Sequence, residues 1–144
     1  MKSYAFTLDS GLPEFVSAEE PLARFLTSSG HFNSQQVKPA AFMPNPANMQ
    51  TSVFRNDDAE RLRECASKAM PDRRVHGVAI VSTKIVRETS LDVQAQEPPA
   101  RHANIVGWAS DPVLAKSENK MYAIALAQNA TRHIFHSSNA NEHG

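Results

Sequence analysis

The chain has a single cysteine, Cys65, among its 144 residues. One cysteine cannot form an internal disulfide, and it cannot supply the ligand set of a Cys-rich zinc module. Chains without disulfides are typical of reducing compartments. We therefore expect a cytoplasmic protein that folds without covalent or metal cross-links.

Glycine is also scarce, with five residues against nine prolines. The loops that cradle phosphates in Rossmann and P-loop proteins need glycines at fixed spacings, and this sequence lacks them. We therefore do not expect nucleotide binding of those two types. The prolines instead predict many extended connections between secondary-structure elements.

The sequence has neither an excess of charge nor a long apolar run. Its 15 basic and 15 acidic residues cancel, so no whole-molecule field draws the protein toward nucleic acid or an anionic membrane. No stretch approaches the roughly 18 apolar residues of a membrane span. Residues 1–11 lack the apolar run of a signal peptide. We expect a soluble protein with neither a nucleic-acid nor a membrane partner.

Length and patterning predict one domain. A chain of 144 residues can bury a hydrophobic core of its own. We divide it into an N-terminal arm over residues 1–16, a single α+β domain over 17–135 and a flexible polar tail over 136–144. The tail is set apart because its polar residues show no periodic apolar pattern.

The first of three main helices is predicted directly after the arm. Ser17 and Glu20 have the spacing of a capping box, in which each side chain bonds to the backbone of the other. Leu22 and Leu26 then follow at helical spacing. Gly30 is typical of a helix C-terminus, so we expect a helix that begins near Ser17 and ends at Gly30.

Two further helices are predicted by their end signals. Residues 56–58 are capping residues, and Pro71 stops the helix that follows them. Asp111 precedes a proline at the first helical position, which starts the last helix. Its apolar face is expected to include Met121 and to continue to Ile134.

Short apolar runs predict the strands, and these runs cover residues 51–55, 75–81, 91–93 and 103–108. Ser82 is placed to cap a short helical turn after the second run. Helices and strands that alternate in this way favour a layered domain. We expect an α+β fold with a small mixed sheet of about four or five short strands and three main helices packed on it.

Three segments resemble, as an ordered set, a loose group of small uncharacterised bacterial proteins. The segments are Lys38-Pro39-Ala40-Ala41-Phe42, Ser52-Val53-Phe54-Arg55 and the string from Pro99 to Trp108 that contains His-Ala-x-Ile-x-Gly-Trp. The resemblance covers roughly residues 22–130 and implies a shared shape. No activity is established for the group, so the resemblance implies no mechanism. It suggests a setting among mobile-element or defence genes.

The polar entrance of the last predicted strand is the leading candidate site. Arg101, His102 and Asn104 lie there, and Arg55 ends another strand. Two arginines can hold a phosphate or carboxylate, and they would keep His102 neutral and able to act as a base. The alternative is that these side chains only satisfy loop backbone groups and solvent. His102 is the candidate catalytic residue.

Two aromatic residues are candidates for contact with another protein. Trp108 is the only tryptophan, and Phe42 lies in a Pro-rich loop over residues 38–49. Each can either fill the core or anchor a partner.

Several other residues could in principle act in a functional site, but each also has a structural explanation. These residues are Arg24, Lys38, Ser52, Cys65, Arg73, Arg74, His133, His136 and His143. Arg24 and Lys38 are expected on the solvated surface, although they could join the candidate site. Ser52 lacks the Gly-x-Ser-x-Gly elbow of a nucleophile, and Cys65 falls in mid-helix. The histidines are too poorly specified for a metal site, so we predict no metal and no cofactor.

Two functions lead, and nucleic-acid binding through the second helix, with Arg73 and Arg74 on the phosphates, is a third possibility. The first is a binding or accessory protein that acts on a partner protein, since no complete catalytic set is evident. The second is a small enzyme or sensor for a phosphorylated or nucleotide-like ligand, with Arg55 and Arg101 on the anion and His102 as acid–base group.

Overall fold

The computed structural model describes residues 7–135, so the predicted tail over 136–144 lies outside it. The strands are β1 Pro21–Leu26, β2 Thr51–Phe54, β3 Gly77–Ser82, β4 Asp92–Ala95, β5 His102–Val106 and β6 Thr131–Ile134. The helices are α1 Ala59–Ala69, α2 Thr83–Glu88 and α3 Ala115–Gln128. Short 3-10 turns cover Ser29–His31 and Pro39–Ala41.

The strands form one six-stranded sheet in the order β4-β5-β2-β1-β3-β6. All neighbouring strands are antiparallel. The α+β class is therefore confirmed, whereas the mixed sheet and the count of four or five strands are wrong. The two additional strands are β1, which the sequence predicts as a helix, and β6, which it places inside the last helix.

The segment Pro21–Leu26 is a central strand because its residues face two cores. Leu22 and Leu26 pack on one face of the sheet, and Ala23 and Phe25 pack on the other. A strand buried on both faces has a continuous apolar run. Such a run also contains apolar residues at helical spacing, so the sequence pattern alone does not distinguish the strand from a helix. All six of its residues pair with β3, so its backbone groups are satisfied without a helix.

Only one of the two capping-box contacts forms before β1, the one to the Glu20 side chain, and it closes a turn. The Ser17 N–H donates to the Glu20 carboxylate at 2.8 Å, and the Glu20 N–H donates to the Ser17 carbonyl at 3.1 Å. The Glu20 carboxylate also accepts two hydrogen bonds from Arg55. This local signal therefore fixes the entry into β1, and the strand partners decide the secondary structure that follows.

The α1 helix follows its end signals. Asp58 is the N-cap, and its side chain accepts hydrogen bonds from the backbone of Glu60 and Arg61. Leu62 and Ala66 are its buried residues. Burying a leucine side chain of this kind stabilises a fold by about 1.5–3 kcal/mol. Ser82 likewise caps α2, since its Oγ accepts from the Ile85 N–H at 3.3 Å.

The last helix is shorter and rotated relative to the sequence prediction. It starts at Ala115, because Asp111 caps only the turn at Val113, and it ends at Gln128. Met121 is 68% exposed, while the buried side includes Leu126. The apolar residues of α3 are spread around the helix, so their spacing does not specify one inner face.

The chain after α3 returns to the sheet as β6, which pairs with β3 at the edge. Ile134 lies opposite Gly77 in this pairing. A Cβ at Gly77 would lie 2.2 Å from the carbonyl oxygen of His133, so only glycine permits this close approach. The strand has four residues and little apolar character, which explains why the sequence alone does not indicate it.

Each face of the sheet packs against a different helix. One face, here called the α3 face, packs its apolar residues against α3 and the turn Pro39–Ala41. The opposite face, called the α1 face, packs Phe25, Phe54 and Val78 against α1. In residues 7–135, no helix has the length and apolar character needed to cross a membrane.

Candidate functional site

The pairing of β2 with β5 brings three polar side chains together on the α1 face. Ser52 lies opposite Asn104, and Phe54 lies opposite His102. Because side chains alternate along a strand, all four of these residues point to the same face. Ser52 and His102 are diagonal neighbours, and the Ser52 Oγ lies 2.6 Å from the His102 Nε2.

The contacts of His102 define which of its ring nitrogens carries the proton. Its Nδ1 lies 2.9 Å from the Gln96 carbonyl oxygen, which can only accept a hydrogen bond. Nδ1 is therefore the protonated nitrogen of the neutral ring, and Nε2 accepts the hydrogen bond from the Ser52 hydroxyl. His102 is 9% exposed and rests edge-on against Phe54, with ring centroids 5.3 Å apart.

Gln96 also holds the third polar residue. Its side-chain Oε1 accepts a hydrogen bond of 2.6 Å from the Asn104 Nδ2. Asn104 is 6% exposed, so its amide needs this partner. One residue at the end of β4 thus orients both the imidazole and the amide beside Ser52.

The loop between β4 and β5 is fixed by Glu97. The Glu97 carboxylate accepts hydrogen bonds from the Arg101 N–H at 2.9 Å and from the Ser10 N–H and Oγ at 3.1 and 2.5 Å. The Glu97–Pro98 and Pro98–Pro99 peptide bonds are cis, and Arg101 has a positive φ of 68°. The N-terminal segment is therefore tied directly to the loop that leads into His102.

Ser52 and Asn104 line a cleft of about 500 Å³. The cleft lies where β1 and β2 separate, since these two strands share a single pair of facing residues, Ala23 and Phe54. Arg24 bridges this separation: its Nε donates to the Ala41 carbonyl at 2.7 Å, and its Nη1 donates to the Ser52 carbonyl at 2.9 Å. The guanidinium is thereby held next to the backbone of the serine.

The cleft is positively charged. Arg24, His31 and Arg73 line it, and no carboxylate lines it within residues 7–135. Burial lowers the pKa of Arg24, and the positive charge of Arg73 lowers it further, although an arginine remains protonated at neutral pH. Burial and the charge of Arg24 lower the pKa of His31, whose Nδ1 accepts a hydrogen bond from the Thr27 N–H at 3.2 Å.

Arg55 does not belong to this site. Its side chain is 0% exposed and forms two hydrogen bonds with the Glu20 carboxylate, at 2.7 and 2.9 Å. It lies just after the end of β2 and is not among the residues that line the cleft. The Arg55 charge is thus paired with Glu20 inside the fold, and the anion clamp of Arg55 and Arg101 expected from the sequence stays a prediction.

Partial burial alone would raise the pKa of Glu20. The hydrogen bonds from Arg55 and Ser17, together with the charge of Arg55, outweigh that effect, so the pKa of Glu20 lies below its ordinary value of 4.5. Arg101 also contacts this region, since its Nη1 donates to the Arg55 carbonyl at 3.3 Å. These residues stabilise the start of β1 and β5 and do not face the cleft.

The two aromatic candidates are core residues. Phe42 is 0% exposed, and Trp108 is 6% exposed. The Trp108 Nε1 donates to the Ile105 carbonyl at 3.1 Å, and its ring packs near Tyr122. Neither side chain presents a surface to another protein.

The remaining candidates are separate from the cleft, apart from Arg73. His133 lies in β6 instead of on a helix, and His136 and His143 fall outside the described residues. Within residues 7–135, no three His, Cys, Asp or Glu side chains are grouped to hold a metal ion. Cys65 is half-buried on α1, and this burial raises the pKa of its thiol.

The sequence singles out His102 and Asn104 but does not indicate that Ser52 contacts His102. The partner of Ser52 lies 50 positions away in the chain, so only the strand register reveals it. The one available signal was shared alternation, since a serine two residues before Phe54 must lie on the same face as that residue.

No protein-family model, curated protein or solved structure matches the chain. The resemblance to a loose bacterial group therefore stays a prediction. The described part of the chain is an α+β protein with a six-stranded antiparallel sheet and a serine–histidine pair at the edge of a cationic cleft.

Proposed function

We propose that this protein is a small enzyme that acts on an anionic small molecule, with Ser52 as nucleophile and His102 as general base. One observation carries the proposal, the continuous chain from the Ser52 Oγ to the His102 Nε2 at 2.6 Å and from its Nδ1 to the Gln96 carbonyl at 2.9 Å. A serine hydroxyl is a weak nucleophile until a positioned base takes its proton.

The reaction is a group transfer from an ester. The Ser52 Oγ forms a bond to the electrophilic atom of the substrate while the bond to the leaving oxygen breaks. The proton of Ser52 passes to the His102 Nε2 and then to the leaving oxygen. Water then releases the group from Ser52, with Nε2 accepting the proton of that water and returning a proton to Oγ.

The surroundings of the pair suit this chemistry. His102 is held by a backbone carbonyl, which fixes the tautomer and supports the charge that develops on the ring. Ser52 is exposed, and it lies on a strand, where its position is fixed by the sheet. An exposed nucleophile with a nearly buried base leaves the reactive oxygen open to the cleft.

The test is covalent labelling with a fluorophosphonate, which reacts with activated serines and loses fluoride. Wild-type protein is expected to take up one label, which peptide mass spectrometry locates on Ser52. Ser52→Ala should abolish it, and His102→Gln should slow it by at least about 100-fold, because general-base catalysis contributes about 10²–10⁴.

Ser67→Ala is the matched control, since Ser67 is an exposed serine on α1 whose Oγ bonds only to the Arg63 carbonyl. Its labelling rate should equal that of wild type. Circular dichroism of each variant verifies that the fold is retained. Equal labelling of Ser52 in wild type and in folded His102→Gln would overturn the proposal.

A second candidate is binding to a partner protein, and one observation favours it. Three apolar residues just before α3 and in its middle are exposed: Val113 at 84%, Leu114 at 49% and Met121 at 68%. We call them the α3 patch. Large exposed apolar surfaces are typical of interaction sites.

This second candidate is tested by purifying a partner and measuring its affinity for wild type and for Met121→Glu. A charge in the α3 patch should weaken binding by at least about tenfold, whereas Lys120→Gln beside it should leave the affinity unchanged. Equal affinity for all three proteins would remove the α3 patch from any binding role.

A further inference from the structure

We propose that the cleft beside Ser52 binds the phosphate group of a phosphomonoester, with Arg24 and Arg73 as its ligands. This inference rests on the proposed function and narrows its substrate class. The group that is transferred to Ser52 would then be a phosphoryl group.

The first support is the pair of arginines that no carboxylate neutralises. Within residues 7–135, neither Arg24 nor Arg73 forms a salt bridge, in contrast to buried Arg55. Two like charges that share a cleft repel each other, and an anion between them relieves the repulsion. Guanidinium groups match the oxygens of a phosphate closely.

The second support is the number of charges. His31 uses its Nδ1 to accept from the Thr27 N–H, which requires that nitrogen to be unprotonated. The cleft therefore carries two positive charges, both from arginines, at neutral pH. A phosphomonoester carries between about 1.5 and 2 negative charges at pH 7, so its charge complements the cleft better than a carboxylate does.

The third support is where the charges lie relative to the nucleophile. The Nε and Nη1 of Arg24 are occupied by the Ala41 and Ser52 carbonyls, so its Nη2 is left for a ligand. Ser52 lies inside β2 and not directly before a helix, so it lacks the adjacent amide groups of a helix N-terminus that could bind an acyl oxyanion. Cations are the groups positioned to stabilise a transition state, and phosphoryl transfer relies on cations.

The transfer of the phosphoryl group to Ser52 and then to water involves no change of oxidation state, so it needs no redox partner. The Ser52 Oγ–phosphorus bond forms as the phosphorus–ester oxygen bond breaks, and the leaving oxygen receives the serine proton by way of the His102 Nε2. Water then attacks phosphorus, the Oγ–phosphorus bond breaks, and inorganic phosphate is released. Asn104 lines the same cleft.

The experiment measures binding of inorganic phosphate by calorimetry at neutral pH. Arg73→Gln removes one cleft charge, and Arg74→Gln is the matched control, because both side chains are exposed and only Arg73 lines the cleft. We expect at least about tenfold weaker binding for Arg73→Gln, the loss typical of one charge-assisted contact, and no change for Arg74→Gln.

Phosphate binding and fluorophosphonate labelling of Ser52 are separate measurements, so they separate this inference from the proposed function. Acetate should bind at least about tenfold more weakly than phosphate. If Ser52 takes the fluorophosphonate label but phosphate does not bind, or binds Arg73→Gln equally well, the phosphate site is overturned while the catalytic pair stands.

Discussion

Ser52 and His102 lie on neighbouring strands, 50 positions apart in the chain, and their Oγ and Nε2 atoms are within hydrogen-bond distance at 2.6 Å. The contact depends on a diagonal relationship in the sheet, because Ser52 pairs with Asn104 and His102 pairs with Phe54. A shift of the register by one residue would turn Ser52 to the other face. The strand pairing is therefore what creates the site.

The tautomer of His102 is the first prediction. Its neutral ring should carry the proton on Nδ1, because the Gln96 carbonyl accepts a hydrogen bond there. Nitrogen-15 NMR of the imidazole distinguishes the two nitrogens directly. We expect the signal of an unprotonated Nε2 in wild type and a change in that signal in Ser52→Ala, which removes the donor to Nε2. A proton on Nε2 in the neutral ring would contradict the proton path.

The ion pair between Glu20 and Arg55 should be important for stability. Glu20→Gln leaves the fully buried Arg55 charge without its partner, and we expect a loss of about 3 kcal/mol in the free energy of unfolding. Glu19→Gln, at an exposed neighbour, should change it by less than about 0.5 kcal/mol. Urea denaturation measures both, and equal stability of the two variants would contradict the importance of the pair.

The same pair predicts a dependence of stability on pH. The folded-state pKa of Glu20 lies below the ordinary 4.5 of the unfolded chain. The stabilisation that ionised Glu20 gives the folded state is therefore complete above pH 4.5, and it is lost as the pH falls through the folded-state pKa. Denaturation at a series of pH values should show this loss in wild type, and a smaller one in Glu20→Gln. An identical loss of stability at low pH in both proteins would contradict this dependence on Glu20.

His31 should titrate below its ordinary value of 6.5, because burial and the neighbouring charges disfavour its protonated form. The unfolded chain then binds more protons between the lowered pKa and 6.5, so this group makes stability rise with pH in that window. Proton NMR titration, with His31→Asn to assign the signal, measures the pKa. Added phosphate should raise it, and a pKa above 6.5 in free protein would contradict the charged cleft.

Gly77 should not tolerate a side chain. A Cβ there would lie 2.2 Å from the His133 carbonyl oxygen, so Gly77→Ala must displace β6, and overpacking of this kind costs about 1–3 kcal/mol. At Gly30 the nearest atom would be the Ser28 Oγ at 3.6 Å, so Gly30→Ala is the matched control. Thermal unfolding compares the two variants, and an unchanged midpoint for Gly77→Ala would show that β6 does not lie against β3.

The sequence predicts the elements whose ends have chemical signals. Asp58 and Pro71 bound α1, and Ser82 caps α2, as their local chemistry indicates. It does not predict β1, because Leu22 and Leu26 fit a helical stripe as well as a strand buried on both faces. Only the pairing of six residues with β3 decides between the two structures, and that pairing is not local.

The candidate site was also predictable only in part, because some of its contacts join residues that are distant in the chain. His102 and Asn104 stand out because polar residues are unusual in a short apolar strand. Arg55 looks like a ligand-binding residue in the sequence, yet Glu20, 35 positions earlier, neutralises it. Arg24 looks like a surface charge, but the separation of β1 from β2 brings it to the cleft. Partners that are distant in the chain decided each of these outcomes.

The most direct test of the central claim is a crystal structure of the protein after reaction with the fluorophosphonate. We predict phosphorus bonded to the Ser52 Oγ, the His102 ring still held by the Gln96 carbonyl, and the phosphonyl oxygens facing Arg24. An unmodified Ser52, or a His102 ring turned away from both Ser52 and Gln96, would contradict the account.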